Sequence, residues 1–185
     1  MKVIPTALAG AVLIEPDRFG DNRGFFSETY NRQRLAEIGI DMEFVQDNHS
    51  RSTEKGTVRG MHWQAPPKAQ AKLVRVVRGA ILDVIVDVRR ASPTFGRHVA
   101  VELSADNWRQ LFVPIGFAHG FCTLTDEVEV IYKVTDTYSP VHEGGFLWND
   151  PALGLPWPVD ASAATLSAKD KLLPLFADAS IPAFT

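Results

Sequence analysis

The stretch Gly56-Thr57-Val58-Arg59-Gly60-Met61-His62-Trp63-Gln64 concentrates polar side chains in a strand-like setting. At period 2, His62 and Gln64 share a face, and an imidazole there could act as a general base or as a metal ligand near neutral pH. Arg59 lies three residues before His62, so an ideal strand would point the two to opposite faces. If both serve one site, the chain must bulge or bend at Gly60, where a missing side chain permits close approach. A second stretch, Val113-Pro114-Ile115-Gly116-Phe117-Ala118-His119-Gly120-Phe121, turns at Pro114 and Gly116. It then enters a strand on which His119 shares a face with Phe117 and Phe121. Taken alone, either imidazole reads as readily as a strand-end or core histidine. Lys72 shares a face with Val74 and Val76. An ammonium facing an apolar interior is costly unless paired or functional, although a lysine also suits an edge strand. Tyr132 follows Val128 and Val130 at period 2 and points with them, and Asp170 adds a carboxylate far along the chain.

Together the two stretches say more. Gly56 followed by His62 resembles the opening of the first cupin motif, and Pro114-x-Gly116-x-x-His119 resembles the second. The metal site of that superfamily uses a His-x-His pair, a Glu a few residues on, and the His of the second motif. Here Gln64 replaces the second His, and Lys68 and Ala69 stand where the Glu would fall. Two imidazoles without a third protein ligand make a poor catalytic metal site. The expectation is therefore a cupin-like barrel with no metal and no cofactor. A metal-dependent cupin oxygenase is the rival from another class, and it requires stoichiometric bound metal.

A closer resemblance covers nearly the whole chain, from about residue 5 to 176. Asp21-x-Arg23-Gly24-x-Phe26-x-Glu28, Gln46-Asp47-Asn48-x-Ser50 and Arg59-Gly60-Met61-His62-Trp63-Gln64 are similar to successive motifs of the dTDP-4-dehydrorhamnose 3,5-epimerase family. Lys72, Pro114 to Gly120, Tyr132, Glu143, Trp148-Asn149-Asp150-Pro151 and Ser167-x-Lys169-Asp170 follow in that family's order. The resemblance implies a small-molecule nucleotide-sugar substrate, dTDP-4-dehydro-6-deoxy-D-glucose, inverted at carbons 3 and 5 to dTDP-4-dehydro-L-rhamnose. It implies a catalytic dyad of His62 and Asp170, Tyr132 as the opposing proton donor, and Lys72 beside the sugar ketone. It further implies that Arg23, Glu28, Gln46, Asp47, Asn48, Arg59, His119, Glu143 and Lys169 line the nucleotide and sugar sites, with Phe19 and Tyr138 stacking on thymine. The family is dimeric with exchanged N-terminal strands, so Arg23 and Glu28 would serve the neighbour's site. An epimerase acting at one carbon only, a 3,4-ketoisomerase on a related barrel and a non-catalytic binding module are the remaining alternatives.

These residue types suit that reaction. A ketone at carbon 4 acidifies the hydrogens on carbons 3 and 5, and inversion needs a base on one face and a proton donor on the other. An imidazole can take the proton near neutral pH, and a carboxylate behind it fixes the tautomer. A phenol stays protonated and can donate. An ammonium beside the ketone oxygen stabilises the enolate. Arg23, Arg59 and Lys169 offer fixed positive charge to a diphosphate.

The elements that must hold these groups are mostly β, because short apolar runs recur between Gly, Pro, Asn and Asp. Strands are expected at 11–16, 24–30, 43–50, 57–64, 72–78, 80–89, 97–104, 110–113, 118–124 and 128–136. The sixth shows the plainest alternation, with Leu82, Val84, Val86 and Val88 opposite Ile81, Asp83, Ile85 and Asp87. It is expected to form a hairpin with 72–78 about Gly79. A helix is expected over 32–38, capped by Asn31 and ended by Gly39. After Ser139, six prolines forbid long elements. Turns and short helices there should cover the sheet through Trp148, Trp157, Leu166 and Phe176. The fold class is mainly β: a double-stranded β-helix or jelly-roll barrel with short C-terminal helices.

At 185 residues and 45% hydrophobic composition, the chain can bury one core, so residues 1–185 are expected to form one cupin-like domain. A net charge of -3 argues against nucleic acid as a partner. Cys122 is the only cysteine, which fits a reducing cytoplasm. No stretch approaches the apolar length a membrane span needs, so no membrane partner is expected.

Overall fold

The computed structural model describes residues 1–184 and shows two antiparallel sheets facing each other across a common interior. Thirteen strands follow in chain order: β1 (Lys2–Pro5), β2 (Val12–Glu15), β3 (Phe19–Asp21), β4 (Gly24–Phe26), β5 (Gln46–Ser52), β6 (Val58–Gln64), β7 (Lys72–Arg78), β8 (Ala80–Asp87), β9 (His98–Ser104), β10 (Gln110–Val113), β11 (Phe117–Thr123), β12 (Val128–Val134) and β13 (Glu143–Gly145). The first sheet has the order β1-β2-β10-β7-β12-β5, and the second β13-β6-β11-β8-β9. β3 and β4 form a separate hairpin. The interior between the sheets is filled by Val74, Val76, Leu111, Val113, Val128 and Val130 from one wall and Ile81, Ile85, Leu103, Phe117 and Phe121 from the other. Each such side chain taken out of water contributes roughly 1.5–3 kcal/mol. This is a jelly roll.

The expected hairpin of 72–78 with 80–89 does not form. β7 pairs with β10 and β12, whereas β8 pairs with β11 and β9, in the other sheet. A single residue is too short for a hairpin loop. Gly79, at φ +73, instead turns the chain through the corner from one wall to the other. The alternation in β8 also has an unexpected meaning, since both its faces are buried. Ile81 and Ile85 point into the interior with Asp83, while Val84, Val86 and Val88 lie beneath Phe146, Ala179 and Ile181 of the C-terminal tail. Trp148, Trp157 and Leu166 pack the tail against Val58 and Cys122, as the sequence suggests. Short 3-10 turns occupy Asp170–Leu172 and Phe176–Asp178.

Other differences are local. The strand expected at 24–30 stops at Phe26, because its only partner is the three-residue β3. The strand expected at 43–50 runs from Gln46 to Ser52, where every residue pairs with β12. Its polar residues carry no apolar signal. β1, β3 and β13 are too short to be read from periodicity. A helix, α1 (Arg32–Ala36), is capped by the Asn31 side chain, which accepts from the Arg34 N–H at 3.2 Å. Its Leu35 anchors it on the outer face of the first sheet with Ile14 and Phe112. No helix among the described residues is long and apolar enough to cross a membrane.

Candidate active site

β6 and β11 set the site's geometry. His119 lies opposite His62 and Phe121 opposite Arg59, so β6 fits one more residue than β11 into the same interval. This bulge turns Arg59 to the same cavity as His62. The backbones touch here. A Cβ on Gly60 would sit 2.6 Å from the Gly120 Cα, and one on Gly120 would sit 2.8 Å from the Arg59 carbonyl. Only glycines let the strands approach this closely.

The cavity has two lobes, of about 370 and 450 Å³, which meet at His62, Lys72 and Tyr132. His62 enters from one sheet, and Lys72 and Tyr132 from the other. His62 Nε2 lies 2.7 Å from Asp170 Oδ1. Burial alone would push the Asp170 carboxyl up, but the bond from His62 and the Gly60 N–H hold it below the ordinary carboxylate range. Asp170 is therefore an ionised acceptor. It fixes the proton on Nε2 and leaves Nδ1 as the basic nitrogen. The Asp170 N–H is anchored in turn by Ser167 Oγ at 3.1 Å.

On the opposite wall, burial lowers Lys72 to about 8, even though the charges of Asp83 and Glu143 pull it upward. Its Nζ is 3.5 Å from His119 Nδ1. Burial also lowers His119, against the pull of Asp83, which takes the His119 Nε2 proton at about 3 Å. A neutral His119 can thus accept from the Lys72 ammonium while donating to a fully buried Asp83 carboxylate. Burial raises Tyr132, with Glu143 adding to the effect and Arg59 opposing it, so its phenol stays protonated. At the mouth, Tyr138 donates its hydroxyl proton to Glu143 at 2.8 Å, and Glu143 forms an ion pair with Lys169. Those two bonds hold Glu143 below its usual value despite burial. Arg59 reaches Ser52 Oγ at 3.3 Å and the Arg51 carbonyl at 3.0 Å.

His62, Lys72, Tyr132, Asp170, Arg59, His119, Gln46, Asn48, Tyr138, Glu143 and Lys169 all line this cavity. Four of the expected residues do not. Asp47 points to the outer face of β5 and pairs with Lys133 at 2.7 Å, because period 2 places it opposite Gln46 and Asn48. Phe19 and Arg23 sit on the projecting β3–β4 hairpin, where Arg23 pairs with Asp21, and Glu28 pairs with Arg34. Asp83 and Ser50 were missed. Asp83 was signalled by being the polar member of the Ile81–Ile85 face. Ser50 was signalled by continuing the inward series Gln46, Asn48, and its buried hydroxyl has no partner among the described residues.

A metal does not fit these residues. Among the described residues no three His, Cys, Asp or Glu side chains converge as ligands. The Gln64 amide is committed to backbone groups of 68, 137 and 139, and a lysine stands in the same cavity.

A jelly roll with an imidazole, a phenol and an ammonium converging on one cavity is an acid–base enzyme scaffold. The family model described as dTDP-4-dehydrorhamnose 3,5-epimerase matches residues 5–178, and the chain belongs to that family. The dTDP-4-dehydrorhamnose 3,5-epimerase of Salmonella typhimurium is 53% identical over 176 residues, 95% of each chain. A crystal structure of the Bacillus anthracis enzyme of that name, with TDP and PPi bound, is 56% identical with a TM-score of 0.91, covering 94% of this chain and 98% of that one. A dTDP-6-deoxy-D-glucose-3,5-epimerase from Legionella pneumophila, in complex with dTDP-4-keto-L-rhamnose, is 42% identical with a TM-score of 0.94, covering 100% of this chain and 98% of the other.

Proposed function

We propose that this chain, as one domain in the cytoplasm, epimerises dTDP-4-dehydro-6-deoxy-D-glucose at carbons 3 and 5 to dTDP-4-dehydro-L-rhamnose. The observation that carries the reading is that His62 and Tyr132 approach one cavity from opposite sheets, with Lys72 beside them. His62 Nδ1 takes the proton from the carbon next to the ketone, and the C–H electrons move onto the ketone oxygen. Lys72 donates to that oxygen. Tyr132 then gives its proton to the opposite face of the same carbon, and solvent re-equilibrates the phenolate and the imidazolium. Arg59 and Lys169 meet the diphosphate, and Tyr138 stacks on the base. Incubation with substrate in deuterium oxide should place solvent deuterium at both carbons. Bound substrate without exchange rejects the reading, and exchange at one carbon alone assigns a monoepimerase. Tyr132→Phe should keep deuterium uptake while losing the inverted product. Inversion at the parent's rate would exclude Tyr132 as donor.

The site is completed by a second copy on this reading. Phe19, Phe25 and Phe26 are 56–71% exposed on the β3–β4 hairpin. An isolated two-stranded hairpin is marginally stable in water, and its aromatic face asks for a partner surface. Exchange of N-terminal segments in a homodimer would carry Phe19, Arg23 and Glu28 to the neighbour's cavity. Mixing Arg23→Ala with His62→Asn chains under subunit exchange should then restore activity to about a quarter of the sites, because each mixed dimer holds one intact site. Absence of recovery in a demonstrated mixed dimer would place Arg23 elsewhere.

A further inference from the structure

Residues 135–139 leave β12 without joining another strand, yet this segment carries Tyr138 at the cavity mouth. Backbone polar groups in such a segment need partners from elsewhere. Here two glutamine side chains supply them. Gln64 Nε2 donates to the Thr137 carbonyl at 3.1 Å, and its Oε1 accepts from the Ser139 N–H at 2.8 Å. Gln46 Oε1 accepts from the Tyr138 N–H at 3.0 Å, while its Nε2 is held by Asn48 Oδ1 at 2.9 Å. Gln64 also donates to the Lys68 carbonyl. The two amides rise from opposite sheets and grip three successive residues, with the tyrosine in the middle. Gln64 itself is only 5% exposed, while the Tyr138 residue is 55% exposed. The anchor is buried and the ring is presented.

We propose that Gln64, with Gln46, is a positioning residue that holds Tyr138 as a preformed stacking surface for the nucleotide base. The proposal rests on the nucleotide-sugar reading above. Gln64 occupies the place where a metal-binding barrel of this kind carries an imidazole, two residues beyond His62 on the same face. Its amide is spent on the loop instead. A fixed aromatic surface binds a flat ring without first ordering a loop, so the clamp acts on affinity. It leaves proton transfer at His62 to other groups.

The test uses Gln64→Met, which keeps the length and removes the amide, and dTDP as the probe. Loss of the clamp should weaken dTDP binding and raise KM by roughly tenfold to a hundredfold, with kcat falling far less. In a Tyr138→Ala background, the same substitution should add almost nothing, because both act through one ring. A kcat loss exceeding the KM change, or full additivity with Tyr138→Ala, overturns the clamp. A measurement on the unaltered protein covers a variant that fails to fold. The Tyr138 and Ser139 amides should exchange with solvent at least about tenfold more slowly than free loop amides, and more slowly again with dTDP bound. Unprotected amides overturn the clamp as well. A wild-type protein that neither binds dTDP nor exchanges substrate hydrogen removes the underlying reading and the clamp with it. A wild-type protein that does both, with Gln64→Met behaving like it, removes the clamp alone.

Discussion

Replacing His62 with Gln should slow solvent-hydrogen exchange at carbons 3 and 5 by roughly 10²–10⁴-fold, the usual worth of a positioned general base. The imidazole has a carboxylate bonded behind it, through the 2.7 Å contact to Asp170, and its free ring nitrogen stays open to the cavity. A glutamine amide reaches the place of the imidazole Nε2 and can still donate to Asp170, so the buried carboxylate keeps a partner. It offers no basic nitrogen to the sugar, however. The substitution is therefore a clean removal of basicity at a residue whose side chain is 27% exposed. Melting temperature and dTDP affinity should stay near the parent's while exchange disappears. Asp170→Asn should act in the same direction by a different route. Its amide leaves His62 free to take the other tautomer and cannot stabilise the imidazolium. Nuclear magnetic resonance of the substrate in deuterium oxide reads both carbons at once. Undiminished exchange in a folded His62→Gln protein would move the base elsewhere in the cavity.

The sequence made this wall of the site legible because its signals are local. His62 and Gln64 share a face by strand period, and the Arg59–His62 spacing demanded a bend at the one glycine between them. The opposite wall was half legible. Lys72 among valines advertised a buried ammonium, but its supporting pair was hidden. Asp83 lies on a different strand from His119, and only the folded register brings the two into contact. The hairpin error at Gly79 has the same origin. Local pattern shows that two runs are strands, whereas which strand each one joins depends on contacts distant in sequence. In a jelly roll, neighbouring strands often belong to different sheets. Both faces of β8 are buried for a similar reason, since the tail residues that cover its outer face lie about sixty to a hundred positions on. Asp47 was legible in hindsight. The same period that brings Gln46, Asn48 and Ser50 inward turns it outward.

Lys72→Met should cost activity and stabilise the fold, and both effects should shrink as the pH rises through the lysine's titration. The ammonium faces a cavity whose burial lowers it to about 8, against roughly 10.4 in an unfolded chain. Between those values the unfolded chain binds more proton than the folded one, so stability rises with pH across the window. Below about 8 the full cost of holding a charge in the cavity is present. A methionine fills the same space without that cost, so at pH 7 the variant should melt above the parent. The gap should narrow as pH rises through the window, since the parent's lysine is then neutral as well. Where the variant gains stability it loses activity. The enolate oxygen needs a charged donor, and losing one well-placed donor is worth roughly 3–4 kcal/mol, or about 10²–10³-fold in kcat. The parent's own rate should decline above about pH 8 as Lys72 loses its proton. A Lys72→Met protein that melts below the parent at pH 7 would mean the ammonium holds the fold together, and the cavity's charge would then be structural. Undiminished turnover would mean the enolate is stabilised by another donor, with Arg59 and Lys169 the other cations lining that lobe. Higher stability joined to lost turnover is the pattern expected of a charge kept in an unfavourable place because the transition state needs it there.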